Sequence, residues 1–508
     1  MSRSAIIIGA GIGGLATANL LAKAGFRVTV YEKNAQPGGR AGKLERDGFR
    51  FDTGPSWYLM PEVFEHYYQL LGTRASDQLD LVQLSPAYKV FFENAAPLTV
   101  STDAKRDQAA FEAIEPGAGD KLHNYVQRGV LTYRLAVDHF LYTNFTSLRD
   151  FLAPNVLRYG PRMLQMALTP IDRYIAQSFR DPRLQHILEY TMVFLGASPY
   201  EAPALYSLMS ALDFQEGVYY PRGGIYTIID SLVALGTSLG VTYQYTAPVT
   251  HIEGADGTVS GVTLQDGTTA TADIVVSNAD TYFTETRLLA PEHQTYPERY
   301  WQKREAGPSA LLLYLGVKGA LPEIEHHSLL FVDAWRENFE AIYHTHQVPE
   351  SASIYLARPS ATDPTVAPPG HEALVVLVPL PSGISLSDKE QEQLAEAYVA
   401  QITRMTGVDD LASRIVSRTI VGPDDFARNF NAWRSTALGP SHTLRQSALF
   451  RTGNKSKKLR NLYYVGGSTL PGIGLPMCLI GAELVYKHIA GDTRGGRVKT
   501  IEPLGEDG

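Results

Sequence analysis

The stretch AIIIGAGIGGLATANLLAKAGFRVTVYEK, residues 5–33, decides the fold. Ala5 to Ile8 is a short apolar run that reads as a buried strand. Gly9, Gly11 and Gly14 follow as G-x-G-x-x-G, with Ala10 and Gly13 inside the turn. Leu15 to Lys23 is patterned as a helix, and Gly25 is a natural stop after it. Arg27 to Tyr31 alternates as a second strand, which Glu32 closes. Each part has a physical task. Gly9 permits a tight turn, Gly11 lets backbone approach a pyrophosphate, and Gly14 lets helix and strand pack closely. The helix start offers free N–H groups and the positive end of its dipole to phosphates. Glu32 can accept hydrogen bonds from ribose hydroxyls. The unit predicts a dinucleotide site in a Rossmann-like α/β domain.

The rest of the chain bounds what surrounds that unit. A length of 508 residues suits two large domains or three smaller ones. An apolar fraction of 44% supplies a sizeable core. A net charge of −8 gives no global basic field, so nucleic acid is not an expected partner. Cys478 is the single cysteine, which rules out an intrachain disulfide and suits a reducing cytoplasm. The opening MSRSAIIIGAG does not read as a signal peptide, because the glycine turn ends its apolar run. No stretch approaches the roughly 20 apolar residues of a spanning helix. The chain is therefore expected not to cross a bilayer, though it can lie on one.

The glycines alone do not separate FAD from NAD; the next residues do. EKNAQPGGRAG places Gly38-Gly39-Arg40 just after Glu32, and an arginine on a glycine turn suits a second clamp on a diphosphate. FDTGPS, Phe51 to Ser56, would end a strand beside the nucleotide. With these features the sequence resembles the FAD-containing amine oxidase and phytoene desaturase superfamily. Three more stretches narrow the resemblance to bacterial-type carotenoid desaturases: SLRDFL (Ser147 to Leu152), GVYYPRGG (Gly217 to Gly224), and GPSHTLRQSALF with NLYYVGGSTLPGIGLP between Gly439 and Pro476. The resemblance implies FAD as cofactor, held in an FAD domain of the glutathione-reductase and amine-oxidase type. It also implies a mixed α+β substrate domain and a helical, membrane-facing part. Implied cofactor contacts are Gly9, Ala10, Gly11, Gly13, Gly14, Glu32, Lys33, Gly39, Arg40, Gly54, Pro55 and Ser56. Backbone around Val249 would face the adenine, Gly467 and Ser468 the ribityl chain, and Gly474, Leu475, Pro476 and Met477 the isoalloxazine. Asn278-Ala279-Asp280 would end a strand near the cofactor.

The FAD domain is expected to be discontinuous, built from residues 1–75, 216–290 and 455–492. Residues 76–215 read as a largely helical region for substrate and membrane, and 291–454 as a substrate domain with strands at ALLLYLGV and ALVVLVPL. Asp-Gly pairs at 256–257 and 266–267 punctuate residues 241–280 into consecutive antiparallel strands. Residues 493–508, rich in Gly, Arg, Glu and Asp, read as a disordered tail.

The second glycine loop lies far from the first. NLYYVGG reads as a strand ending in a turn, and Leu475-Pro476-Met477 starts a helix that runs to Ala490. Pro476 suits the first turn, Lys487 and His488 the last, and Gly491 the position after it. A helix start carries partial positive charge, suited to the electron-rich edge of a flavin; the alternative is a strand–turn–helix that only packs. Many bacterial relatives read T-H-P-G where this chain has Thr469-Leu470-Pro471-Gly472. Leu470 can neither titrate nor donate a hydrogen bond.

The resemblance implies desaturation of phytoene, with lycopene as the expected product. Hydride would leave an allylic carbon for the flavin and a proton its neighbour. Such a site holds the C–H about 3–3.5 Å from the acceptor and excludes water. Arg149 and Asp150 are candidate catalytic residues, or alternatively a helix cap or ion pair. His326-His327 and His344-x-His346 lack metal-ligand spacing and read as surface histidines, so no metal is expected. His442, inside the Gly439 to Phe450 stretch, stays open between a structural and a chemical role. Quinone and oxygen are both open as electron acceptor. A long isoprenoid partitions into the bilayer, so a cytoplasmic, peripherally membrane-associated enzyme is expected. Residues 155–179 carry Arg158, Arg162 and Arg173 among Leu157, Met163, Leu164, Met166, Leu168 and Ile171. That pattern suits an interfacial helix at a tunnel mouth or, equally, an ordinary amphipathic core helix. Rival readings are another carotenoid-modifying flavoenzyme (a thirty-carbon diapophytoene desaturase, a later-step dehydrogenase, an isomerase or a saturase), an amine oxidase, and a carrier on the same fold without FAD.

Overall fold

Ser4–Ile8 (β1) lies at the centre of a five-stranded parallel sheet. Arg27–Tyr31 (β2) pairs on one side of it and Ile274–Ser277 on the other. With Thr242–Gln244 as β3, Ile274–Ser277 as β4 and Leu462–Tyr464 as β5, the order is β5-β4-β1-β2-β3. The computed structural model describes residues 3–145 and 154–504. Helix α1 (Ile12–Lys23) begins immediately after Gly11 and is buried from Ile12 to Leu21. It carries no charged side chain before Lys23 because it is covered all round, by the sheet, by Leu475–Ala490 (α2) and by Tyr226–Ser238. The strands of the sheet come from three distant parts of the chain.

Between β3 and β4 the chain makes a three-stranded antiparallel meander, Val249–Ala255, Thr258–Leu264 and Thr269–Thr271. Asp256 and Gly257 turn its first hairpin with φ of 51° and 71°. The expectation of antiparallel strands throughout 241–280 holds only for this middle. Thr242–Gln244 and Ile274–Ser277 are parallel strands of the main sheet instead, because their partners are β2 and β1 rather than their sequence neighbours.

A second, seven-stranded sheet runs in the order Ile415–Val421, Ser309–Lys318, His371–Leu380, Ile354–Ala357, His327–Phe331, Tyr88–Phe92, Leu98–Val100. Helix Asp388–Thr406 covers one face through Ala395, Tyr398, Val399 and Ile402. On the other face Ala310, Leu312 and Tyr314 meet Phe49 and Phe51 from the N-terminal segment. Burial on both faces explains the unbroken apolar run of Ser309–Lys318. The region 76–215 is less purely helical than expected. Tyr88–Phe92 leaves it to pair in parallel with His327–Phe331, so the seven-stranded sheet is shared between the two regions.

The expected disordered tail is also corrected. Residues 493–504 are laid against the domain of the five-stranded sheet, where Val498 and Ile501 are buried. The Leu504 N–H donates to the Ala24 carbonyl (3.0 Å), and the Glu502 N–H to the Tyr486 hydroxyl (3.1 Å). The reason lies in α2. Its Lys487 ammonium is buried and donates to the carbonyls of Tyr142 (2.8 Å) and Gly496 (2.9 Å), so a passing strap supplies acceptors that water cannot. Residues 505–508 lie outside the described residues.

Candidate active site

A cavity of about 1300 Å³ joins the two glycine loops and continues to an aromatic end under the seven-stranded sheet. Ordinary small-molecule sites are roughly 300–1,000 Å³, so this one has room for more than one ligand. At its first end Gly9, Gly11 and Gly13 line the wall, while Ala10 and Gly14 do not. The Ala10 N–H is taken by Glu32 Oε2 (2.7 Å), and Glu32 Oε1 accepts from the Asn34 N–H (2.8 Å). These bonds fix the buried Glu32 carboxylate at the end of β2, with a lone pair on each oxygen still free for a hydroxyl. The Lys33 ammonium lines the cavity but is committed to the Arg428 carbonyl (2.7 Å) and Asn431 Oδ1 (3.2 Å). Val249 lines the same end.

Asn278, at the end of β4, stands between the two loops. A Cβ on Gly11, Gly13 or Gly466 would come within 2.6, 2.9 and 3.0 Å of its amide. The two glycine loops are therefore bare partly because they close around one side chain. Gly54 solves a similar problem, since a Cβ there would lie 2.1 Å from the Arg40 carbonyl oxygen. It lets the Thr53–Ser56 backbone pass beneath the Gly38-Gly39-Arg40 turn; Gly39, Gly54, Pro55 and Ser56 all line the cavity.

The Arg40 guanidinium is the unusual group here. It lies over the Phe430 ring at 5.5 Å and gives one NH2 to the Thr436 carbonyl (3.3 Å), but its buried Nε has no partner among the described residues. Burial pushes its pKa down, and the nearby Asp280 carboxylate holds it up. A half-buried cation whose buried Nε is an unused donor, beside glycines that bare the backbone, fits a diphosphate. With the free lone pairs of Glu32, the residues present fit the dinucleotide half of FAD.

At the second loop, Gly467, Ser468, Gly474, Leu475, Pro476 and Met477 line the cavity. Helix α2 starts after Gly474 (φ 116°) with no side-chain cap, so its first N–H groups are left to the cavity. The loop is held from behind. Arg451 donates Nε to the Thr469 carbonyl (3.0 Å), NH2 to the Gly467 carbonyl and NH1 to the Gln446 carbonyl (3.4 Å). Asn454 Nδ2 reaches the carbonyls of Tyr464 (3.1 Å) and Leu470 (3.0 Å). Burial pushes the Arg451 guanidinium down to about 10, so it keeps its charge at neutral pH. The sequence reading missed Arg451 and Asn454; a charged residue closing the apolar Ala448-Leu449-Phe450 run was the available signal.

The far end is aromatic, with Trp57, Tyr190, Phe194, Phe331, Trp335 and Tyr355 in the wall. The charged groups stand behind these rings. Trp335 Nε1 donates to Glu189 (2.9 Å) and the Tyr190 hydroxyl to Asp213 (2.5 Å). Burial pushes both carboxyls up to about 7. His326 and His327 are not surface residues as expected. His327 stacks on Trp57 at 4.5 Å and meets the Tyr355 hydroxyl at 2.8 Å, because the inner strand His327–Phe331 carries it under the cavity. Burial holds both imidazoles well below the usual histidine range. His344 and His346 are exposed. Among the described residues no group of three or more His, Cys, Asp or Glu is placed to hold a metal. The catalytic candidates Arg149 and Asp150 lie outside the described residues.

Several residues that flank or line the cavity are apolar and exposed. Helix Pro154–Leu168 turns Met163 and Ala167 inward and Leu164 and Leu168 outward, the latter pair 61% and 65% exposed. Leu444, Leu449 and Phe450 also line the cavity and are themselves exposed, so apolar side chains border its opening. Arg158, Arg162 and Arg173 are exposed as well.

Comparison with known proteins gives a consistent picture. A family described as flavin containing amine oxidoreductase matches residues 12–484. The chain is 42% identical over 477 residues to a carotenoid 3,4-desaturase of Haloarcula japonica, covering 94% of this chain and 96% of that one. It is 36% identical to a zeta-carotene-forming phytoene desaturase of Myxococcus xanthus, covering 99% and 98%. Among solved structures, a putrescine oxidase studied in a redesign of its cofactor binding superposes with a TM-score of 0.62 at 14% identity, over 97% of this chain and 99% of that one. That likeness concerns the fold.

Proposed function

The chain belongs to the flavin-containing amine oxidoreductases and, within them, to the carotenoid desaturases, and on that premise we propose that it introduces double bonds into a linear forty-carbon carotene, taking phytoene toward lycopene. It is an FAD-dependent oxidoreductase. FAD, when bound, takes up the hydride and its two electrons. The chain's own residues bind, orient and exclude water. The observation that carries the reading is the cavity. It is long, walled by aliphatic and aromatic side chains, continuous with both glycine loops, and open between exposed leucines. At its aromatic end the carboxylates of Glu189 and Asp213 stand behind Trp335 and Tyr190, which suits a hydrocarbon and not a cationic amine.

A second reading has support of its own. The relative at 42% identity is named a carotenoid 3,4-desaturase, which favours a later-step substrate that is already conjugated. The test is anaerobic incubation of the flavin-loaded protein in liposomes with phytoene or a conjugated linear carotene, with and without quinone, followed by pigment identification. Phytoene consumed with growing conjugation supports the first reading; turnover confined to the conjugated carotene supports the second.

Delivery from a bilayer follows from the mouth. Among the described residues no helix is long and apolar enough to cross a membrane. We propose peripheral docking through Leu164, Leu168, Leu449 and Phe450, with Arg158 and Arg162 toward anionic headgroups. A Leu164→Glu, Leu168→Glu variant should lose about 100-fold or more in liposome binding, since sinking two leucines into the bilayer is worth about 3 kcal/mol or more. Turnover of detergent-dispersed substrate should persist. Unchanged sedimentation with anionic liposomes would sink the docking surface.

A further inference from the structure

We propose that His442 takes the proton in the desaturation, its Nε2 facing the carbon next to the one that gives up hydride. The inference rests on the desaturase reading. His442 is 3% exposed yet lines the cavity. Its Nδ1 is 2.9 Å from the Leu195 carbonyl oxygen. A carbonyl only accepts, so Nδ1 carries the hydrogen and Nε2 bears the lone pair. That Nε2 has no partner among the described residues and is not sealed off. It lies over the bare Cα of Gly472, where a Cβ would come within 2.5 Å of it. Gly472 is two residues before Gly474, at the start of α2. The imidazole thus stands at the second glycine loop.

The surroundings keep it neutral and aimed. Arg451, on the chain leading into the loop, faces it with positive charge. The Tyr206 ring meets it edge-on at 5.8 Å, with its hydroxyl committed to Ser447 (2.8 Å). Burial and Arg451 hold the imidazole well below the usual histidine range, against the opposing Leu195 bond. Such a ring is a weak base, and here that suffices. Once hydride leaves, the neighbouring C–H is acidified by an adjacent delocalised cation, so a weak acceptor in contact is enough. In balance, hydride leaves one carbon with both electrons for FAD. The proton leaves the next carbon for Nε2, and the remaining C–H pair becomes the new π bond. The quinone or dioxygen that reoxidises the protein takes up hydride and proton together, returning the imidazole to neutral.

His442→Asn tests this, because its amide can still donate to Leu195 while the Nε2 lone pair is gone. Turnover should fall about 100-fold, with flavin absorbance, substrate binding and melting temperature kept. In His442→Gly, free imidazole should restore turnover in a saturable way. The ¹⁵N spectrum of the wild-type protein should show an unprotonated Nε2 at pH 7, a readout independent of activity and of any variant. Turnover of His442→Asn within threefold of wild type, failure of imidazole to rescue, or a protonated Nε2 would each overturn the proposal. A wild-type protein that desaturates no carotene defeats the underlying reading instead.

Discussion

Gly14→Ala should yield a colourless protein that cannot be reconstituted with FAD. The added Cβ would lie 2.2 Å from the Gly9 carbonyl oxygen, a backbone atom that no rotamer change can move. Gly14 does not require a left-handed conformation, so the methyl group fails on contact alone. Either α1 shifts outward or the turn at Gly9 shifts back. Both displace Gly11 and the helix start from the position that bares backbone to a diphosphate. The helix is buried all round, so the shift propagates into α2 and Tyr226–Ser238. Overpacking at such a site costs about 3 kcal/mol. Gly25→Ala is the matched control. Its φ of 93° strains an alanine, but nothing lies within 4 Å of the new Cβ, so a loss of only about 1 kcal/mol is expected and flavin should stay. Flavin absorbance per chain and thermal melts decide the matter. A yellow Gly14→Ala protein with wild-type melting would mean that the strand–helix contact does not set the site.

This first loop was legible because its logic is local. Strand, glycine turn, helix and acid follow one another within about thirty residues, and each is read from spacing alone. The rest of the site depends on partners far away in sequence. Asn278 looks like an ordinary strand end until β4 lies beside β1 and the second loop folds over it. Tyr88–Phe92 is a five-residue apolar stretch inside a helical region, and only His327–Phe331, far along the chain, makes it a strand. His326-His327 opens that strand with two polar residues, which suggests a surface. Trp57 and Tyr355 bury His327 from elsewhere. Composition misled at the tail. Its many glycines and charges read as disorder, yet Val498 and Ile501 are enough to anchor it where a buried lysine needs carbonyls. In the second loop, helix α2 was read correctly from Pro476, Lys487, His488 and Gly491, all local signals. What holds that loop in place was not, because the acceptors of Arg451 are backbone carbonyls, and carbonyls have no signature in a sequence.

Arg451→Met therefore should disable the second loop without touching any residue that lines the cavity. The side chain is of similar length and remains apolar, so packing is largely kept. What goes is the donor set. The carbonyls of Gly467, Thr469 and Gln446 lose charge-assisted bonds in a buried place, and each unsatisfied acceptor costs about 1–3 kcal/mol, giving about 3–5 kcal/mol if the loop partly relaxes. Relaxation is the more informative outcome. Gly466, Gly467, Gly472 and Gly474 leave the loop little stiffness of its own, so without Arg451 the start of α2 is no longer aimed at the cavity. Flavin should be released on gel filtration and the melting temperature should fall. Arg451→Lys separates charge from geometry. An ammonium cannot reach carbonyls on both sides of the turn as a planar fork does, so it should restore stability better than it restores flavin retention. Equal recovery of both by lysine would show that Arg451 supplies charge alone, and a Met variant that stays yellow with unchanged melting would show that the loop holds its shape by itself.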